Sequence, residues 1–197
     1  MSMISNAYNY DRPGNHIMVD LETLGTKPNS LMLTIGAIRF NPWADDINNP
    51  MENMDTFYRR VSFESFEGLD HVIDDDTLAW WGQQSEEVRA EAFNEDDRHS
   101  IQDVLKDFHR WCGGVDAIWA NGTGFDLNIL EHFSRELKRG VAWKYWQARD
   151  ARTLYALVPG LDRPQGAAHH ALWDCWSQLI GVQRSFKALG INELKTR

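Results

Sequence analysis

The stretch His16-Ile-Met-Val-Asp-Leu-Glu-Thr-Leu-Gly25 decides how the rest of the chain is read. Ile17, Met18 and Val19 in a row mark a strand buried on both sides. Asp20 and Glu22 then break the apolar run. Side chains alternate along a strand, so residues two apart share a face and lie about 7 Å from each other along the chain. Two carboxylates so placed repel each other, and burial penalises their charged forms further. Something has to compensate that charge.

Outward from this strand, the turn-rich TLGTKPNS (23–30) leads to a second apolar run, LMLTIGAIRF (31–40). The loop NPWADDINNP (41–50) separates it from a third strand, TFYRRVSF (56–63). Short breaks between strands predict antiparallel neighbours. Helical signals follow. Asp76 is the expected cap of one helix and Ser85 opens a second. Ile101, Val104, Leu105, Phe108, Trp111 and Cys112 recur at helical spacing up to Gly113-Gly114. VDAIWANG (115–122) reads as a buried strand, 125–139 as a helix, WKYWQARD (143–150) as a final strand, the region of Leu154 as a short helix and 168–189 as a long one. Strands first, then helices alternating with buried strands, predict an α/β fold. Its mixed five-stranded sheet, an antiparallel meander plus parallel strands, is flanked by helices. Residues 1–15 read as a flexible lead-in and 16–197 as one domain.

The chain of 197 residues is long enough to bury a sizeable core, and its 43% hydrophobic and 25% charged residues suit a globular protein. Its formal charge of −9 argues against tight, unassisted binding to a long duplex. It leaves room for a nucleic-acid substrate whose phosphates are met by metal ions. Nine tryptophans point to stacking surfaces as well as core. Cys112 and Cys175 both fall in amphipathic helical patterns, with no secretion signal and no run long enough to span a membrane, which predicts free thiols and a cytoplasmic location.

Two more carboxylates occupy places where charge is costly. Asp126 follows the glycine-rich NGTG at a helix start, where an acid is favoured by the helix dipole. Asp174 sits among Ala171, Leu172, Trp173, Cys175, Trp176, Leu179 and Ile180, preceded by His169 and His170. Four such acids are explained together if they converge on divalent cations. Hard oxygen ligands suit Mg²⁺ or Mn²⁺, and no Cys/His cluster at zinc spacing competes. Two such ions about 3.5–4 Å apart would clamp the attacking and leaving oxygens of a phosphodiester.

VDLETLG, NGTGFDLNIL and HHALWD, in this order, resemble the three motifs of the DEDDh (DnaQ-like) 3′–5′ exonucleases, and TLAWWGQQSEEVRAEAF is similar to a segment of small phage and bacterial members. The resemblance implies a ribonuclease H-like fold and hydrolysis of single-stranded 3′ ends, DNA ahead of RNA, to nucleoside 5′-monophosphates. Asp20, Glu22 and Asp174 would hold one divalent ion, Asp20 bridging to a second associated with Asp126. The family spacing selects His169 as general base, whereas helical spacing of four favours His170 as Asp174's neighbour. An asparagine common four residues before the second motif's aspartate is replaced by Gly122, with Asn121 beside it. Thr23 and Leu24 would meet the terminal sugar, Leu24 and Phe125 the last bases, and Trp80 or Trp81 (Trp81 as first choice) would extend the platform. Arg149, Arg152 and Arg163 are candidates for backbone phosphates. Some relatives pair as homodimers, which would bring further cations to a −9 chain. The rival class is a non-catalytic nucleic-acid-binding or interaction module on the same fold, which would have no need of a general base.

Overall fold

A computed structural model describes residues 15–49, 51–164 and 169–194; of the expected lead-in, only Asn15 falls among them. The hydrophobic run of the opening motif forms β1 (His16–Thr23), the centre of a sheet ordered β4-β3-β2-β1-β5-β6. Its neighbours are β2 (Met32–Phe40), antiparallel, and β5 (Ala117–Ala120), parallel. β3 (Asp55–Val61) continues the antiparallel meander beyond β2, and β6 (Ala148–Asp150) runs parallel to β5. The sheet has six strands rather than five. The extra one, β4 (Arg98–His99), is only two residues long and lies parallel to β3, too short to carry a periodic signal.

Flanking helices cover both faces. α3 (Ile101–Trp111) and α4 (Asp126–Glu136) bury Val104, Leu105, Phe108, Leu127, Ile129 and Leu130 in one cluster with Ile17, Val19 and Leu21. On the other face, α6 (Ala171–Leu189) and α5 (Ala151–Ala156) bury Cys175, Leu179, Val182 and Ala151 with Met18 and Ile38. Alternation along β1 therefore turns Asp20 and Glu22 toward the side of Met18 and α6. Two short helices, α1 (Asp75–Gly82) and α2 (Glu86–Ala92), follow the meander.

Several boundaries shift from the sequence expectations for local reasons. Asp74, not Asp76, caps α1, its carboxylate accepting from the Thr77 N–H at 2.9 Å. Ser85 caps α2 as expected. In 143–150 only the last three residues pair as strand, because Tyr145–Gln147 close a 3₁₀ turn first. The long helix starts at Ala171, so both His169 and His170 precede its first turn.

Candidate active site

β1 outruns its parallel partner: pairing with β5 ends at Met18 and Trp119, which leaves the later N–H groups of β1 free on that side. Asp126, the first residue of α4, fills the gap, its carboxylate accepting from the Leu21 N–H at 3.1 Å. The turn leading into α4 passes through Gly122 at φ +118°, a conformation that a side chain would strain. Glycine at this position, rather than the family's asparagine, thus has a backbone reason.

On the other side of β1, α6 descends onto the sheet over Gly36. This glycine pairs with Asp20 across β1 and β2, and a Cβ built on it would stand 2.6 Å from the Ala171 carbonyl carbon. The missing side chain lets α6 bring Asp174 beside the strand. One carboxylate oxygen each from Asp20, Glu22 and Asp174 can be chosen so that all lie within 4.8 Å of one another. Asp126 stands next to this trio but is not one of it. Gln178, one turn beyond Asp174, donates to Asp20 at 2.8 Å.

The electrostatics match that crowding. Burial, then the charges of Asp126, Glu22 and Asp174, push the Asp20 carboxyl well above the usual carboxylate range. Burial, then Asp174 and Asp126, raise Glu22 to about 8. Asp126 is raised to about 7, chiefly by burial, with the Leu21 N–H and the Arg152 guanidinium working against the rise. Asp174 is raised by burial despite the His169 N–H and both neighbouring histidines. A cluster of acids that resists ionisation in the protein alone is what a divalent cation relieves, and the all-oxygen donor set fits a hard ion such as Mg²⁺ or Mn²⁺.

The two histidines have different surroundings. His169 adopts φ +63°, donates its N–H to the Asp174 carboxylate at 3.0 Å and meets the Trp80 ring edge to face at 4.7 Å. His170 turns away to stack on Tyr58 of β3, with ring centroids 5.2 Å apart and 14° between planes.

Among the expected substrate contacts, Trp81 is corrected. Only 2% of it is exposed, and its indole N–H donates to the Thr23 carbonyl at 2.9 Å. It anchors α1 to β1 and offers no face for stacking. Trp80, 39% exposed, does. Helix phase separates the two, and a short helix with a cap two residues earlier than expected carries no clear phase in its sequence. Thr23 and Leu24 are almost wholly buried, and the Leu24 N–H already donates to the Leu31 carbonyl while its own carbonyl accepts from Asp74. Phe125 is half-buried at the entrance to α4. Of the three arginines, Arg152 lies beside the acids, donating to the Asn121 carbonyl at 3.0 Å. Arg149 is held by the Trp146 and Ala148 carbonyls, and Arg163 lies 4.7 Å over the Tyr155 ring. Gly36 and Gln178 were not anticipated: their roles depend on strand register and helix docking, which leave no local signature.

A mixed sheet whose central strand carries two acids, met by a third from the last helix, is the architecture of the ribonuclease H-like nucleases. Residues 15–185 match the model of the 3′–5′ exoribonuclease Rv2179c-like domain, and the chain belongs to that family. It is thus a 3′–5′ exonuclease of nucleic acid. The exodeoxyribonuclease of Enterobacteria phage T4 is 26% identical over 214 residues, covering 89% of this chain and 91% of that protein. Among solved structures, the zinc-bound Escherichia coli exonuclease I–single-stranded DNA complex superposes with TM-score 0.63 at 16% identity over 91% of this chain. This chain spans only 42% of that exonuclease. The nuclease domain of 3′hExo, a DEDDh family member bound to rAMP, gives TM-score 0.56 at 15% identity, covering 95% of this chain and 98% of that one. No described helix is long and apolar enough to cross a membrane.

Proposed function

We propose that the chain hydrolyses the terminal phosphodiester of single-stranded nucleic acid, DNA ahead of RNA, releasing nucleoside 5′-monophosphates with the help of two divalent cations. The observation that carries this reading is the convergence of Asp20, Glu22 and Asp174 beside a histidine whose backbone is tied to Asp174. Asp20, Glu22 and Asp174 would hold one ion, and Asp126 would help to hold the second. Bound there, Mg²⁺ or Mn²⁺ would supply positive charge that offsets the negative charge of the phosphodiester and would lower the pKa of the attacking water.

His169 accepts the proton as that water attacks phosphorus, a task suited to an imidazole near neutrality. The bond from phosphorus to the 3′-oxygen of the preceding nucleotide breaks, and the terminal nucleotide leaves as its 5′-monophosphate. Arg152, whose charge acts on Asp126, meets the adjoining phosphate. Thr23 and Leu24 frame the terminal sugar, and Phe125 and Trp80 stack on the last bases. Such stacking is worth about 1–3 kcal/mol per base and is indifferent to sequence. The preference for DNA leans on the T4 relative, an exodeoxyribonuclease.

Incubating the protein with 5′-labelled single-stranded DNA and RNA of one sequence, with Mg²⁺, Mn²⁺ or chelator, tests the reading. A metal-dependent ladder shortening from the 3′ end, stronger on DNA and lost in Asp20→Ala and His169→Ala, is expected. Cleavage that survives chelation would overturn the metal mechanism. An undiminished ladder in His169→Ala would overturn its role as base.

A further inference from the structure

We infer that His170, seated in a receptor built by Tyr58, Arg60 and Glu91, positions the turn that carries His169. The inference rests on the reading of His169 as general base and adds three residues from β3 and α2 to what that reading uses.

The geometry behind it begins with backbone conformation. His169 sits at φ +63°, in the left-handed region that side chains other than glycine, asparagine, aspartate and histidine rarely enter. A residue stays there only where its surroundings hold it. One restraint is the hydrogen bond from the His169 N–H to Asp174. A second bond, from the Asp174 N–H to the His170 carbonyl at 3.0 Å, ties the next residue to the start of α6. The third restraint is the His170 side chain. His170 lies nearly parallel to the Tyr58 ring at 5.2 Å, and its Nε2 stands 3.8 Å from the Glu91 carboxylate.

The receptor is itself locked. The Tyr58 hydroxyl and an Arg60 N–H both donate to the same Glu91 oxygen at 2.6 Å. Arg60 adds a cation–π contact, 5.5 Å from the Tyr58 ring centre. Burial opposes ionisation of Glu91, yet the bonds from Tyr58 and Arg60 and the charges of Arg60 and His170 hold its carboxyl below the usual range. It therefore presents a negative charge toward His170 Nε2. His170 Nδ1 is buried with no hydrogen-bond partner among the described residues, so the ring is held by its stack on Tyr58 and its approach to Glu91. Through the bond from the Asp174 N–H to the His170 carbonyl, the seat is tied to the start of α6 as well as to β3. Tyr58, Arg60 and Glu91 act on the reaction through the backbone of one turn.

Displacement of a proton-accepting ring by about 1 Å is enough to cost on the order of 100-fold in rate. Emptying the seat should therefore lower kcat by roughly 10–100-fold while KM and Mn²⁺ affinity, set by other residues, change little. The test compares His170→Ala, His170→Phe, Tyr58→Ala and His169→Ala for kcat and KM on a single-stranded oligonucleotide. Calorimetric Mn²⁺ affinity and thermal melting identify variants that remain folded. The expected result is a kcat fall in His170→Ala and Tyr58→Ala with unchanged Mn²⁺ binding. Most of that loss should be restored in His170→Phe, whose ring can still stack. Full activity in both alanine variants, with His169→Ala inactive, would overturn the seat and leave the base standing. Equal inactivity of His170→Phe and His170→Ala beside an active His169→Ala would instead make His170 the base, so that the reading beneath the inference fails. A parallel loss of Mn²⁺ binding in His170→Ala and Tyr58→Ala would also overturn the positioning role, since it would make the cluster a structural support of the acids.

Discussion

Replacing Gly36 by alanine obstructs the close approach of α6 to β2 that brings Asp174 beside β1. The new Cβ would lie 2.6 Å from the Ala171 carbonyl carbon, 2.8 Å from the Ala171 Cβ and 2.8 Å from the Leu172 nitrogen, whereas ordinary contact begins at 3.4 Å. The obstruction is helix backbone, which cannot rotate aside. The first turn of α6 must therefore withdraw by about 0.8 Å. Asp174 withdraws with it, away from Asp20 on the paired strand, and the Cys175 thiol loses its 3.3 Å approach to the Gly36 carbonyl. Overpacking of this kind costs about 1–3 kcal/mol of stability. The loss of alignment between carboxylates should lower kcat by roughly 100-fold. Thermal melting, Mn²⁺ titration calorimetry and single-stranded DNA hydrolysis on one preparation read the three effects together. Gly140→Ala, where nothing lies within 4 Å of the added carbon, serves as control and should change none of them. A Gly36→Ala protein that melts, binds Mn²⁺ and cuts like the parent would refute the claim that this close approach builds the site.

Other perturbations bear on the same machinery. Glu22, raised from 4.5 to about 8, and Asp126, raised to about 7, keep protons in the folded state that the unfolded chain releases. Without divalent ions their contribution to stability is full below about pH 4 and is lost as pH rises toward 8. The protons are shared across the cluster, so its total is not a sum of single groups. The melting temperature in EDTA should fall between pH 5 and pH 8 and Mn²⁺ should restore it most at pH 8; a flat profile in EDTA would contradict the assignment. Trp81→Phe keeps one aromatic ring but removes the pyrrole half of the buried indole and leaves the Thr23 carbonyl without its 2.9 Å donor, and should lower stability by at least about 1–3 kcal/mol in chemical denaturation. Trp80→Ala should weaken binding of a single strand about 5–150-fold, measured by fluorescence anisotropy with Ca²⁺ in place of Mg²⁺. Unchanged affinity there would remove Trp80 from the platform.

The sheet and the acids were legible in the sequence to different degrees, for physical reasons. β1 announced itself because its run is apolar on both faces, and the spacing of Asp20 and Glu22 places both on one face whatever the strand's partners. Asp174 stood out because α6 is apolar around it. The two-residue β4 was invisible, since its pairing is set by the fold rather than by its own residues. The exchange of Trp80 for Trp81 as the accessible ring came from helix phase: with Asp74 as cap, α1 turns Trp81 inward toward Thr23. Between the two histidines, family spacing and helical spacing disagreed. Helical spacing assumed a helix through 169–170, but α6 begins only at Ala171, so the assumption behind His170 does not hold. Gly36 carries no signal of its own in the sequence; its role follows from the register that sets it opposite Asp20.

The joining of β1 to α6 also bears on how the protein is made. Asp20 and Gln178, hydrogen-bonded to each other, lie 158 positions apart, and α6 is the last of the described elements to be synthesised. Contacts of such long range form late, after the loop between them has been closed. A nascent chain carrying β1 through α5 therefore has Asp20 and Glu22 but no third carboxylate from α6 and no histidine beside it. Such a chain should be inert toward the messenger and the other nucleic acids around the ribosome. If the proposed site is the catalytic one, a fragment truncated before Ala171 should lack nuclease activity.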